Sequence, residues 1–273
     1  MGTLYLVATP IGNLEDLSPR AMRILGEVQL IAAEDTRVTG KLLSHFNIST
    51  PQTSYYEHNK LSKLDRVLSV LESGDVALVS DAGTPGINDP GYELVRAALA
   101  AGNNVSPIPG PSAPIAALVT SGLPTDSFLY LGYLPRKPKE RRAALEQVAS
   151  QPYTLIFLES PHRVLGALED IESVLGNRQV AVARELTKLY EEIFRGDVAS
   201  AQEHFTAKAP RGEFTLVVSG YVGAEDVRWT EAGLKSALET GLAAGESPSA
   251  LAKQLAKESG WARRDVYNLI LEK

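Results

Sequence analysis

The side chains of this sequence that could bind or transform a polar ligand gather in six short clusters, each directly after an apolar run. They are Thr9 to Asp16, Glu34 to Arg37, Ser80 to Asn88, Pro109 to Ala113, Glu159 to Arg163 and Arg184 to Lys188. Their content is carboxylates, hydroxyls and a few cations, which suits hydrogen bonding and proton handling. Other chemistries find no support. There is no G-x-G-x-x-G, no Walker A loop and no His-rich metal spacing, and His45, His58, His162 and His204 are dispersed. No Ser-His-Asp arrangement stands out. Cysteine is absent, which removes disulfides and thiolate sites and is compatible with a reducing cytosol.

Each cluster alone has a plain structural explanation. Ser112 serves equally as the cap of the helix that follows it. Glu34-Asp35-Thr36-Arg37 suits a solvated turn with a local ion pair, and Glu159-Ser160-Pro161-His162 a helix start. Six such clusters at strand ends, in two successive α/β units, form a pattern that would line one shared cleft.

The elements that must hold these clusters follow from periodicity. Thr3 to Ala8, Val28 to Ala33, Gln52 to Tyr55, Val76 to Val79 and Asn104 to Ile108 read as strands. Helical patterns lie between them, over 20–25, 39–46, 61–71, from 91 and over 114–120. Ser18-Pro19 opens the first with an N-cap and a proline at the first helical position. Five strands alternating with helices predict a mostly parallel sheet. The longest polar stretch, Ser80 to Pro90, joins the fourth strand to the helix from Gly91. Such long loops in compact domains are often functional, and its Gly and Pro residues shape a path close to a ligand.

Ser121 to Thr125 reads as a linker. Beyond it come a strand near Phe128 to Gly132, a helix from about Lys139 to Ala149, a strand at Tyr153 to Leu158 and a helix from Pro161 to Leu175. Strands at Val180 to Ala183 and about Leu189 to Phe194, a helix near Ala199 to Phe205, and the strand Phe214 to Val218 complete a less regular unit. A mixed sheet is expected there. After Gly220 the pattern is helical: Thr230 to Leu242, Ala250 to Glu258 and Ala262 to Leu271, with a helix-turn-helix character. Leu251, Leu255, Trp261, Val266 and Leu269 would pack it. From Ser247 onward Lys253, Lys257, Arg263, Arg264 and Lys273 oppose Glu258, Asp265 and Glu272, a mild positive excess. The expected divisions are residues 1–122, 123–222 and 223–273.

The chain has 273 residues, 44% of them hydrophobic, enough for a real core. Its net charge is −6 and its pI about 5.4, so a nucleic-acid partner would have to be met by a local basic patch. One exists: Pro135 to Arg142 holds Arg136, Lys137, Lys139, Arg141 and Arg142 against Glu140 alone. These cations sit at a helix start, where the dipole disfavours them. Contact with a polyanion such as an RNA backbone would offset that cost; a solvated charge run is the other reading. The first residues lack the pattern of a signal peptide, and no run reaches the roughly 20 apolar residues needed to span a bilayer. A soluble, cytoplasmic protein is expected.

Taken together the clusters resemble one family. Ala8-Thr9-Pro10-Ile11-Gly12-Asn13-Leu14, Ala33-Glu34-Asp35-Thr36-Arg37, Ser80 to Gly91, Pro109 to Ala113, Ser121-Gly122-Leu123-Pro124, Glu159 to Arg163 and Arg184 to Lys188 look like the signature of the bacterial small-subunit (16S) rRNA cytidine 2′-O-methyltransferases of RsmI type. These are built on the tetrapyrrole-methylase scaffold. The motifs run in order from residue 3 to about 220, and the helical tail is similar to the extension of that family. Asn88 stands where Ser is commoner, which keeps a short polar side chain.

The resemblance implies two α/β domains of tetrapyrrole-methylase type with a donor cleft between them, and a small helical extension. It implies S-adenosylmethionine as methyl donor, no metal, and a homodimer. The partner would be small-subunit rRNA or the assembled small ribosomal subunit, and the acceptor the ribose 2′-OH of a cytidine in the decoding region. Donor contacts carried over are Asp81, Gly83, Ile87, Asn88, Ser112, Ala113, Leu158 and Glu213. The reaction is an in-line displacement at an activated methyl group, so positioning and exclusion of water matter most. A base or cation near the weakly acidic hydroxyl would help, and Glu159, Glu185 and Lys188 are the candidates. Asn13, Arg37, Arg136, Lys137, Arg141, Arg142 and Arg163 would face the RNA, with Arg184 as a phosphate clamp. The alternatives are a methyltransferase of the same scaffold for a tetrapyrrole, and a non-catalytic RNA-binding assembly factor.

Overall fold

The structure is a computed structural model and describes residues 1–56, 60–208, 210–223, 229–243 and 245–271. His58, Glu272 and Lys273 lie outside the described residues. The chain divides into two compact units, one of residues 1–148 with 153–219, the other of residues 149–152 with 220–273.

The first unit contains two sheets. Strands β1 (Thr3–Val7), β2 (Leu30–Ala33), β3 (Gln52–Ser54), β4 (Val76–Val79) and β5 (Asn104–Ile108) pair in the order β3-β2-β4-β1-β5, all in parallel. Every residue of β2 and β4 is buried, as the apolar runs of central parallel strands require. Alternate side chains then supply two cores. Val7, Ile31, Ala33, Ala77 and Val79 meet Ala21, Ile24 and Leu25 of α1 (Pro19–Glu27) and Leu43 of α2 (Thr36–His45). On the other face Leu4, Leu30, Val76 and Leu78 meet Val67 and Leu71 of α3 (Lys60–Leu71) and Leu94 and Ala98 of α4 (Tyr92–Ala100). All the strands point the same way, so the loops after β1, β2, β4 and β5 emerge at one edge. That edge carries four of the six polar clusters.

The second sheet has the order β6-β7-β10-β8-β9, with β6 (Phe128–Tyr133), β7 (Thr154–Glu159), β8 (Gln179–Arg184), β9 (Glu192–Asp197) and β10 (Phe214–Val218). β6 and β7 are parallel and the remaining pairs antiparallel, which makes it mixed. Helices α6 (Pro138–Glu146), α7 (Val164–Leu175) and α8 (Val198–Ala207) belong to this half. Helix α5 (Ala113–Ser121) follows the parallel sheet yet buries Ala117 and Leu118 against Ile156, Ala181, Ala183 and Val217 of the mixed sheet. One helix therefore fastens the two halves into one unit.

Several elements differ from the expected ones in their bounds: α2 begins at Thr36, three residues early, α6 ends at Glu146, three short, and two other differences have a visible cause. The strand expected over about Leu189 to Phe194 begins at Glu192. Glu185 and Thr187 adopt left-handed backbone angles (φ 51° and 65°), and successive turns carry Leu189 and Tyr190 into solvent first. The helix expected from Pro161 begins at Val164, because the Ser160 carbonyl accepts from the Arg163 and Val164 N–H groups in a preceding turn.

The second unit packs α9 (Glu231–Ala243), α10 (Pro248–Ser259) and α11 (Arg263–Leu271) around Leu234, Leu238, Leu251, Leu255 and Val266. Trp261 and Leu269 join that core as expected, and Trp261 Nε1–H donates to the Trp229 carbonyl at 2.7 Å. Ser247 caps α10 by accepting from the Ala250 N–H.

Candidate active site

The loop after β4 is fixed from two sides before any ligand arrives. Thr9 and Gly83 exchange main-chain hydrogen bonds of 2.9 and 3.0 Å, and the Thr9 hydroxyl donates to the Ser80 carbonyl. Asp35 N–H donates to Asp81 Oδ1 at 3.0 Å, and Asp81 N–H donates to Glu34 Oε2 at 3.1 Å. The loops after β1, β2 and β4 are thus tied into one rim. Thr84 adds the loop after β5 through the Pro111 carbonyl.

The opposite rim comes from the mixed sheet. Glu185 N–H donates to the Glu213 carbonyl, and Lys188 Nζ donates to Glu185 Oε1 at 3.0 Å, with Glu213 Oε2 at 3.8 Å. The rims approach closely at Gly12. A Cβ there would stand 2.3 Å from Lys188 Cγ and 3.0 Å from the Leu186 carbonyl oxygen, so any larger residue would have to displace the Lys188 side chain and its loop.

Between the rims lies a cleft of about 310 Å³. All eight expected donor contacts line it: Asp81, Gly83, Ile87, Asn88, Ser112, Ala113, Leu158 and Glu213. Glu185 and Lys188 line it too. Ile87, Ala113 and Leu158 give it apolar wall, while Glu34, Asp81, Asp89, Glu185 and Glu213 give it a negative charge that suits a cationic ligand. Among the described residues of its lining, Lys188 is the one cation. Burial pushes the carboxyls of Glu34 and Asp81 up, with neighbouring carboxylates adding to the effect. Asp89 is pushed up to about 6 by burial and by the charges of Glu34, Asp81 and Glu213, against a hydrogen bond from Ser80. Two grooves adjoin the cleft. One passes Asn88 and Asp89 to Tyr56 and Tyr92; the other passes Glu34 and Asp81 to Arg37.

Glu159 does not reach the cleft. It is 1% exposed, accepts from the Ser160 N–H at 2.8 Å and pairs with Arg163 at 3.0 Å, so its carboxylate is committed inside the protein. Arg163 spends its guanidinium on Glu159 and on the Leu134 and Pro135 carbonyls, which anchors the turn before the basic segment.

Two further expectations are corrected. Arg141 is buried in an ion pair with Asp170 at 2.6 Å, on the inner face of α6 one turn before Leu145, so it is no surface cation. Arg184 is buried as well, and its Nε–H donates to Glu192 Oε2 at 2.6 Å. Arg136, Lys137 and Arg142 are exposed, although Arg142 also bonds Asp170. Arg37 is exposed and paired with Asp35. Asn13 is exposed and caps a short turn by accepting from the Glu15 N–H. None of these seven residues lines the cleft, nor does Arg163.

Sequence reasoning missed Asp89, Tyr130 and Tyr133 as site residues. Asp89 lay within the singled-out loop. The two tyrosines stand on β6, whose aromatic and aliphatic run carried no polar cluster to mark it.

Fold and site define a two-sheet α/β protein with a ligand cleft at the strand ends. A family model described as tetrapyrrole (corrin/porphyrin) methylases matches residues 3–202. A Synechocystis protein named ribosomal RNA small subunit methyltransferase I is 49% identical, over 100% of this chain and 98% of its own length. A protein of the same name from Escherichia coli O157:H7 is 50% identical over 82% of this chain and 80% of its own. The uroporphyrin-III-C-methyltransferase of Thermus thermophilus shares the fold, with a TM-score of 0.55 at 22% identity over 80% of this chain and 94% of that one. The chain belongs to the tetrapyrrole methylases, in the group whose curated members are named ribosomal RNA small subunit methyltransferase I.

Proposed function

We propose that this protein transfers a methyl group from S-adenosylmethionine to the ribose 2′-OH of a cytidine in the decoding region of small-subunit rRNA. The observation that carries this reading is the 310 Å³ cleft lined from both halves by the eight residues expected to contact the donor. That volume falls within the roughly 300–1,000 Å³ of small-ligand sites. The relatives' name supplies the acceptor class. The lining fits the donor: apolar side chains for its flat parts, main-chain groups around Gly83 and Ser112 for its polar edges, and carboxylates for its positive charge. When bound, the donor supplies an activated methyl group and needs no metal to activate it.

The chain's own residues then position and deprotonate the acceptor. Glu185 and Lys188 stand together at the cleft edge, where the Glu185 carboxylate is placed to accept the hydroxyl proton. Lys188 offers a positive charge to the oxygen as its proton leaves. Arg37, Arg136, Lys137 and Arg142 remain outside for phosphates. Residues 1–122 and 123–222 would share the donor, with 223–273 as the extension. A homodimer belongs to the proposal and would cover exposed Ile115 and Val119, one turn apart on α5. The enzyme would act in the bacterial cytoplasm, on free rRNA or on the assembled subunit.

Titration calorimetry with S-adenosylmethionine should give a saturable isotherm. Labelled methyl transfer into small subunits, followed by nuclease digestion and mass spectrometry, should yield 2′-O-methylcytidine. Label on the base would refute the ribose acceptor, and absence of donor binding would sink the enzyme reading.

A further inference from the structure

Tyr130 carries a polar atom with nothing to bond. Its hydroxyl oxygen is buried from solvent, has no hydrogen-bond partner among the described residues, and belongs to a side chain that lines the cleft. Buried hydroxyls in native proteins are nearly always satisfied, and an unsatisfied one costs stability unless something else completes it.

The backbone brings it there by a specific device. Between Tyr130 and Gly132 the pairing of β6 with β7 slips by one residue, and Gly132 takes a left-handed φ of 64°. A Cβ on Gly132 would stand 2.4 Å from Asn88 Nδ2, so the bulge also lets β6 press against the donor loop. Bulges of this kind re-aim a side chain beside functional sites. Here the residue before the slip is Tyr130. A plain hydrophobic role would be met as well by phenylalanine, without the orphaned hydroxyl.

We propose that the Tyr130 hydroxyl is a ligand-binding group that hydrogen-bonds a ribose hydroxyl held in the cleft. The chemistry fits. Five carboxylates around the cleft accept protons and refuse anions, whereas a phenol both donates and accepts, as a sugar hydroxyl does. Burial, with Tyr133 and Asp89 nearby, pushes the phenol up to about 12, so it remains protonated at any working pH. It is therefore a positioning group and takes no proton from the acceptor. The ribose is that of the donor or that of the acceptor nucleotide; both have the same hydroxyl chemistry. The identity of these ligands rests on the proposed function.

The test is Tyr130→Phe, read by three constants. The melting temperature of the free protein should hold or rise, because an unsatisfied polar atom has been removed. The dissociation constant for S-adenosylmethionine should weaken roughly 3- to 20-fold if the donor's ribose is the partner; otherwise the KM for small subunits should rise by that factor. A donor analogue lacking the ribose 2′- or 3′-hydroxyl should bind wild type more weakly but the variant no differently, if the donor is the partner. Both constants unchanged within experimental error would overturn the proposal. So would a lowered melting temperature, which would make the hydroxyl structural. Failure of wild type to bind S-adenosylmethionine would instead strike the proposed function.

Discussion

Lys188 Nζ donates to Glu185 Oε1 at 3.0 Å, and both side chains line the cleft. The pair is partly exposed, so it adds little to folding stability. Its effect should fall on chemistry. Lys188→Met is expected to lower single-turnover methyl transfer roughly 100-fold or more, with donor affinity changed by only a few-fold. Rapid quench with labelled donor, together with calorimetry, checks this. A loss confined to donor affinity would reassign Lys188 to binding.

Gly12 packs against Lys188 across the two rims, which makes the close approach itself testable. In Gly12→Ala the added carbon meets Lys188 Cγ, which can swing away, and the Leu186 carbonyl, which cannot without moving its loop. Overpacking of this sort costs about 1–3 kcal/mol. The Leu186–Lys188 loop should shift before the core does. Donor affinity and transfer rate should therefore drop more than the melting temperature. Equal losses in all three would mean that the close approach is structural.

How much of this was legible in the sequence depends on what each residue faces. The loop after β4 was legible as a wall of the cleft because ligands sit at strand ends in parallel sheets and because it is long and rich in Gly, Pro and Asp. The basic run was only half legible. Counting charges treats Arg136 to Arg142 alike, but helical spacing places Arg141 on the same inward face as Leu145, four residues on. Glu159 looked like a free carboxylate at a helix start. β7 is buried on both faces, so its last residue is inside the protein with Arg163. Tyr130 could not be found by composition, because an aromatic residue in a strand run gives no sign of the register slip beside it or of a hydroxyl buried without a partner.

Asp89 predicts a pH dependence of stability. Its carboxyl rises from 3.8 in the unfolded chain to about 6 in the folded one. A raised value means that the folded state binds the proton more tightly. The associated stability is fully present below about pH 3.8 and is lost as pH rises through about 6. Above pH 6 the ionised carboxylate faces Glu34, Asp81 and Glu213 at a cost. Asp89→Asn should remove about 1–2 kcal/mol of that cost, a figure discounted because the site is partly solvated. Thermal melts should show the variant more stable than wild type by roughly 2–6 °C at pH 8 and by little at pH 4.5. The reverse order at pH 8 would refute it.

Arg141 and the exposed cations beside it should separate cleanly under mutation. Replacing Arg136, Lys137 and Lys139 by Ala removes charges that hold no buried partner, so the fold should be unaffected. RNA affinity should fall uniformly across sequences, and its salt dependence should shrink by about 0.7–0.9 for every phosphate left without its cation. Filter binding across a salt series measures both. Arg141→Ala acts differently, because Asp170 is 6% exposed and loses its principal partner. Breaking a buried pair costs about 3–5 kcal/mol. Arg142 still holds the other Asp170 oxygen at 2.9 Å, so about 2–4 kcal/mol is expected, a drop of roughly 5–15 °C. The salt dependence of RNA binding, measured below the melting point, should match wild type. A reduced salt slope in Arg141→Ala would mean that this side chain leaves its pocket to meet phosphate. An unchanged slope in the triple variant would make the exposed run a solvated surface.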